Sequence, residues 1–226
     1  MRKQNILIDL LHNKGIFINK TLNNRLLVNE FKTLFLTSIV FFAVYGLLIG
    51  INHSFLQAIT SSIKVPVLFI FSILISFPTL YFFLAILGLK QNFYQLASFV
   101  LVCLTIISGV LIVFAPISLF FLITTTNYYF FKILNVVIFA IAGFTGVYTF
   151  YKNIDIVIKR SSEIANIKRL RSFLKLWLLM FGFTGAQLSY SLSPFFGDPS
   201  KEFILFTVVQ RNFFTDLLDS IIKFIG

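Results

Sequence analysis

Five apolar blocks of roughly twenty residues each run through this chain, separated by polar turns, and none contains an acidic side chain. They cover residues 33–51, 65–87, 95–115, 130–151 and 173–192. A block that is apolar on every side and about twenty residues long crosses ~30 Å of hydrocarbon as a helix. The spacing therefore predicts an all-α fold, a polytopic transmembrane helical bundle of about five spans. Proline punctuates it. Pro66 sits in the first turn of the second block, where its missing N–H costs nothing, and Pro78 is expected to kink that helix. Pro116 is expected to end the third block.

The stretches between the blocks read as short connections. Residues 52–64 read as an external connection, with Phe55, Leu56 and Ile59 dipping into the interface. Residues 88–94 read as a tight turn. Residues 117–129 form an uncharged connector, in which Thr124, Thr125, Thr126 and Asn127 are possible N-caps for the fourth helix. The bundle spans residues 33–192. Before it lies a basic, amphipathic N-terminal arm, 1–32, where Ile6, Leu7, Leu10 and Leu11, then Leu22, Leu26, Leu27 and Phe31, have helical spacing. The arm lacks the features of a cleavable signal peptide, so the first block is expected to act as an uncleaved anchor. After the bundle, residues 193–226 carry Phe206, Val209, Phe213, Leu217, Ile221 and Phe224 three or four positions apart, the stripe of an amphipathic C-terminal helix.

Charge sets the orientation. The arm holds Arg2, Lys3, Lys14, Lys20, Arg25 and Lys32, and the stretch 152–175 holds seven more Lys or Arg. Four spans separate the two, so both fall on one side of the membrane. By the positive-inside rule that side is cytoplasmic, with the N-terminus inside and the C-terminus outside a bacterial inner membrane. The net charge of +11 has a second reading, attraction to anionic lipid or nucleic acid. Residues Lys159, Arg160, Lys168, Arg169 and Arg171 are the group placed to meet such a ligand.

Chemistry-bearing clusters are missing from the sequence. His12 and His53 fall on opposite predicted sides, Cys103 is alone, and there is no glycine-rich phosphate loop. The expectation is a protein that is not an enzyme and uses neither a metal nor a cofactor. Uncharged polar residues do remain in the spans, among them Asn135, Thr145, Thr184, Gln187 and Ser189. Two readings stand for these: hydrogen bonds between helices, or a polar pore lining. Thr184, Gln187 and Ser191 share one helical face, and with Asn135 they are the residues named for a pore or subunit contact. Gly143 with Gly146, and Gly182 with Gly185, are small-residue pairs that allow close helix packing, within the chain or between copies.

Three stretches resemble a family of small bacterial multi-pass membrane proteins, most without an assigned function. They are KVPVLFIFSILISFPTLYFFLAILG at 64–88, APISLFFLITTTNYYF with LNVVIFAIAGFTG within 115–146, and GAQLSYSLSPFFGDP, EFILF and RNFF within 177–214. The resemblance runs from about residue 59 onward, is most specific in the third stretch and leaves out the basic arm. Tyr190 stands where many relatives are expected to have Trp. The family is similar to the transmembrane effector of Hailong-type anti-phage defence. The resemblance implies a homo-oligomeric membrane channel controlled by an oligonucleotide from a partner nucleotidyltransferase. The rival expectations are a non-conducting membrane scaffold and an accessory subunit of a transport complex.

The charge pattern makes a direct prediction. A reporter fused after Lys168 reads as cytoplasmic and one fused after Gly226 as external. A cytoplasmic C-terminus would mean that the chain crosses an even number of times.

Overall fold

The computed structural model describes residues 21, 28–125, 127–160, 166–197, 202–206 and 212–225. The arm's first amphipathic stretch, most of its second, and Val209 of the tail stripe lie outside them. Among the described residues six long helices follow one another: α1 Val28–Gly50, α2 Phe55–Ile86, α3 Phe93–Thr124, α4 Tyr128–Arg160, α5 Ile167–Ser191 and α6 Phe213–Ile225. The chain is an all-helical membrane protein. Helices α1 to α4 are each long and apolar enough to cross a bilayer.

Helix α5 falls short of that apolarity but accompanies α2 along its length. Phe173 stacks on Phe83 at one end, with ring centroids 5.1 Å apart. Trp177 Nε1 donates to the Ser76 carbonyl at 3.0 Å in the middle. Gln57 of α2 meets the Pro194 carbonyl just past the end of α5, at 2.8 Å. The two helices therefore run antiparallel over a shared depth, and α5 is sheltered by its neighbour where it is too polar to stand alone.

Several boundaries differ from the sequence reading, each for a local reason. Helix α1 begins at Val28, so the last residues of the predicted arm belong to it. The predicted connection 52–64 shrinks to a short turn. Ser54, in extended conformation, accepts from Gln57 N at 3.2 Å and caps α2 ten residues earlier than expected. Pro66 thus lies inside α2, not in its first turn. Pro116 lies inside α3, which continues to Thr124 instead of stopping. Asn127, one of the predicted caps, accepts from Phe130 N at 3.1 Å at the start of α4. The turn predicted at 88–94 is present but ends at Asn92, since α3 begins at Phe93. Gly88 has φ +90, and Asn92 with Gln95 forms a capping box for α3.

At 32 or 33 residues, α2, α3 and α4 are about 48–50 Å long, more than the hydrocarbon thickness. Helices of that length tilt or project past the surface, and α4 carries charge, Lys159 and Arg160, in its last turn.

Helix α3 is the centre of the bundle, with α1 and α4 packed on it and α2 and α5 outside. Its middle, from Leu96 to Leu111, is buried at most positions. Helix α1 meets α2 through bare backbone. A Cβ on Gly50 would sit 2.6 Å from the Gln57 carbonyl oxygen, and one on Gly46 would overlap the Ser61 carbonyl. Such close approach matters in a bilayer, where lipid is as apolar as leucine and helices associate by packing and hydrogen bonds. Polar pairs add to it. Ser38 of α1 and Thr105 of α3 lie 3.0 Å apart, and Asn135 joins three helices as described below.

Gly46→Leu forces α1 and α2 apart and is expected to remove most folded protein from the membrane. Gly109→Leu is expected to be tolerated, because nothing lies within 4 Å of its added Cβ. Comparing detergent-extracted, monodisperse yield for the two variants checks this.

Candidate functional site

One face of α2 carries a row of polar side chains, Gln57, Ser61 and Lys64, spaced by four and three residues. The sequence reading placed them in an external connection. In the structure all three are buried, Lys64 at 5% exposure and Gln57 at 1%. They hold the irregular chain that follows α5. Gln57 Nε2 donates to the carbonyls of Pro194 (2.8 Å) and Phe195 (3.3 Å) and to Ser61 Oγ (3.1 Å). Ser61 Oγ donates to the Phe195 carbonyl at 2.5 Å. Lys64 Nζ donates to the Pro194 carbonyl at 3.3 Å and to the Leu205 carbonyl, and lies 4.6 Å from the centre of the Phe206 ring.

Non-helical backbone at membrane depth is stable where the protein itself supplies the missing hydrogen-bond partners, and this row supplies donors for three carbonyls. The segment also packs tightly. Phe195 and Phe196 are buried, and Phe196 meets Phe131 of α4 edge-on at 6.2 Å. Gly197 has φ +60, and a Cβ there would lie 2.7 Å from His53 Cβ, so both the turn and the space require glycine.

Beside this segment a cavity of about 1020 Å³ opens between α2, α4 and α5, with α6 at its mouth. Its inner part is apolar, with Leu68 and Phe69 from α2, Val136 and Phe139 from α4, and Leu178 and Phe181 from α5. Charge gathers where α6 crosses α4. Lys132 Nζ meets Asp216 Oδ2 at 2.7 Å, and Asp219, Lys223 and Glu202 also line the wall. Lys223 Nζ lies 5.6 Å from the Tyr129 ring centre. No protein-family model, curated protein or solved structure matches this chain.

The residues named from the sequence fall in three places. Asn135 is fully buried. Its Oδ1 accepts from Tyr45 OH (2.7 Å) and Ser118 Oγ (2.9 Å), and its Nδ2 donates to the Phe131 carbonyl (2.9 Å), which ties α1, α3 and α4 together. Thr184, Gln187 and Ser191 lie together on α5, on a face other than the one that lines the cavity through Gly182, Gly185 and Ser189. Ser191 is exposed, and Thr184 and Gln187 are half-buried. Gln187 Oε1 lies 3.5 Å from Phe213 N at the start of α6. The glycine pairs divide. Gly146 faces Ile107 and the Cys103 carbonyl of α3, while Gly143, Gly182 and Gly185 open onto the cavity.

The basic group occupies the opposite end of the bundle, where α4 ends and α5 begins. Asp155 binds Arg171 Nε at 2.7 Å and Lys159 Nζ at 2.9 Å, which joins the two helix ends and neutralises part of the cluster. Arg160, Lys168 and Arg169 remain exposed. Lys168 and Arg169 stand in the first turn of α5, capped by Asn166, with no acidic residue in that turn. The helix dipole and these side chains have the same sign there, so an anion is attracted by both. Among the described residues no group of three His, Cys, Asp or Glu could hold a metal ion.

The row on α2 was hidden in the sequence by its position within a presumed loop. Its signal was the spacing of 57, 61 and 64 on one helical face. Lys64→Met leaves the Pro194 and Leu205 carbonyls without their charged donor. It is expected to speed amide exchange at 193–197 and 202–206 by on the order of tenfold or more, since a hydrogen bond to a charged group contributes ~1.5–3 kcal/mol. Hydrogen–deuterium exchange on the two purified proteins measures this.

Proposed function

We propose that the chain is a homo-oligomeric, channel-forming membrane effector of bacterial anti-phage defence, whose conduction is controlled by an anionic oligonucleotide bound at its basic end. The observation that carries this reading is helix α5. It is long enough to cross the membrane, at about 38 Å, yet too polar to face lipid all round. Thr184, Gln187 and Ser191 stand on a part of its surface that no other described helix fully covers. Polar side chains at membrane depth face another helix or water. Copies arranged around an axis normal to the membrane, which keeps every subunit in one orientation, supply either neighbour. Rings of Thr184 and Gln187 then line the path.

The regulatory half of the proposal rests on Lys168 and Arg169, exposed at the N-terminus of α5, with Arg160 beside them at the end of α4. Lys159 and Arg171 of the same group are held by Asp155 and act by fixing the helix ends. A phosphate bound there touches the first turn of the proposed pore helix, which gives it a mechanical route to the conduction path. The membrane orientation that puts this end in the cytoplasm, where a nucleotidyltransferase product is made, follows the excess of Lys and Arg there. The non-conducting scaffold is the alternative, and the same experiments separate the two.

With Gln187→Leu and Thr184→Val combined, we expect normal membrane abundance and a several-fold fall in ion flux through proteoliposomes, because a dewetted constriction raises the barrier to ions. Unchanged flux would remove these residues from the path, and no flux from the unaltered protein under any ligand would favour the scaffold. With Lys168→Glu and Arg169→Glu, binding of short single-stranded oligonucleotides should weaken. The slope of log affinity against log salt should fall by about 0.7 for each phosphate that is no longer neutralised. Fluorescence anisotropy over a salt series reads both.

A further inference from the structure

We infer that the cavity between α2, α4 and α5 is a lipid site, which takes an acyl chain of a phospholipid with a zwitterionic, amino-bearing headgroup from the leaflet next to α6. The inference is independent of conduction, since the cavity lies on a different face of α5 from Thr184, Gln187 and Ser191.

The shape of the cavity selects an amphiphile. Along α4 its lining extends from Lys132 to Val147, about 22 Å by helix rise. That reaches from headgroup level to past the middle of a ~30 Å hydrocarbon core. Below the mouth the walls are aliphatic and aromatic, and Gly143, Gly182 and Gly185 leave the floor open. Water has few partners in such a space, whereas an acyl chain fills it.

The mouth selects the headgroup. Among the described residues, two lysines, Lys132 and Lys223, stand with three carboxylates, Asp216, Asp219 and Glu202. Both signs of charge therefore stand at the mouth among the described residues, with Lys132 already paired to Asp216. A headgroup with both a phosphate and an ammonium can meet each sign.

Gln57 adds an independent mark. It lines the cavity, is 1% exposed, and its Oε1 has no hydrogen-bond partner. Its amide cannot be turned over to remedy this, because the nitrogen is fixed by two carbonyl acceptors, Pro194 and Phe195. A buried amide oxygen without a donor is costly, and a primary ammonium supplies one.

The test uses the full-length purified chain. Native mass spectrometry with added palmitoyl-oleoyl phosphatidylethanolamine or phosphatidylglycerol is expected to show a resolved complex of one lipid per chain that favours the ethanolamine lipid. The variant Gly143→Leu with Gly182→Leu fills the cavity, and both added Cβ atoms meet nothing within 4 Å. It is expected to stay folded and to bind this lipid at least about tenfold more weakly, as burial of two or more methylenes is lost. If that pair lowers monodispersity, Ala140→Phe replaces it as a second way to fill the same space.

Equal binding of the two lipids would overturn the headgroup assignment. Unchanged lipid binding by folded, cavity-filled protein would overturn the site. A cysteine at position 182 that cross-links to a second copy in native membranes would also overturn it, since a protein helix would then occupy the cavity.

Discussion

A backbone carbonyl shut away from water needs a donor, and in this protein three side chains of one helix meet that requirement. Gln57, Ser61 and Lys64 of α2 hold the carbonyls of Pro194, Phe195 and Leu205. Without them the chain after α5 could leave the helix only in water. With them it folds back along α2, both its phenylalanines are buried, and Phe196 meets Phe131 of α4. Much else depends on this contact. It brings α6 across the end of the bundle, where Asp216 finds Lys132, and it walls the mouth of the cavity. A charged lysine in a membrane helix is expensive unless paired. Here it is matched by carbonyl dipoles and the face of Phe206.

The other half of the molecule is held by closeness rather than charge. Gly46 and Gly50 let α1 touch the backbone of α2, and Gly146 does the same between α4 and α3. Asn135 then binds three helices through one amide. Each such interhelical bond contributes only ~0.6 kcal/mol on average in a membrane, so the set, and not a single bond, fixes the register. The result is a rigid core of α1, α3 and α4, with α2 and α5 forming a flank that contains the cavity.

The membrane-helix architecture was legible in the sequence because apolar length is an all-or-none signal. Ends were harder. A proline could as well sit within a helix as stop one, and at Pro66 and Pro116 the helix continues. Residues 52–64 read as a loop because Gln57, Ser61 and Lys64 are polar, but the partners that make them interior come from more than 130 positions away, at Pro194 and Phe195. Single-sequence periodicity cannot see such a partner. The same limit applied to polar residues within spans. Asn135 and Gln187 look alike in sequence, yet one is sealed in the core and the other is half-buried near α6. The cavity had no sequence signature beyond its glycines, which signal closeness and emptiness equally.

The central claim is that the segment after α5 lies within the bilayer, tethered by α2. Leu205 reports on it, being half-exposed at the end of the Lys64 contact, while the native Cys103 is buried and does not label. A nitroxide on Leu205→Cys in lipid nanodiscs should relax strongly with oxygen and weakly with a water-soluble nickel chelate, as a site within the hydrocarbon does. Adding Lys64→Met should reverse that preference. A label on the otherwise native chain that the chelate reaches as freely as an aqueous loop would contradict the account.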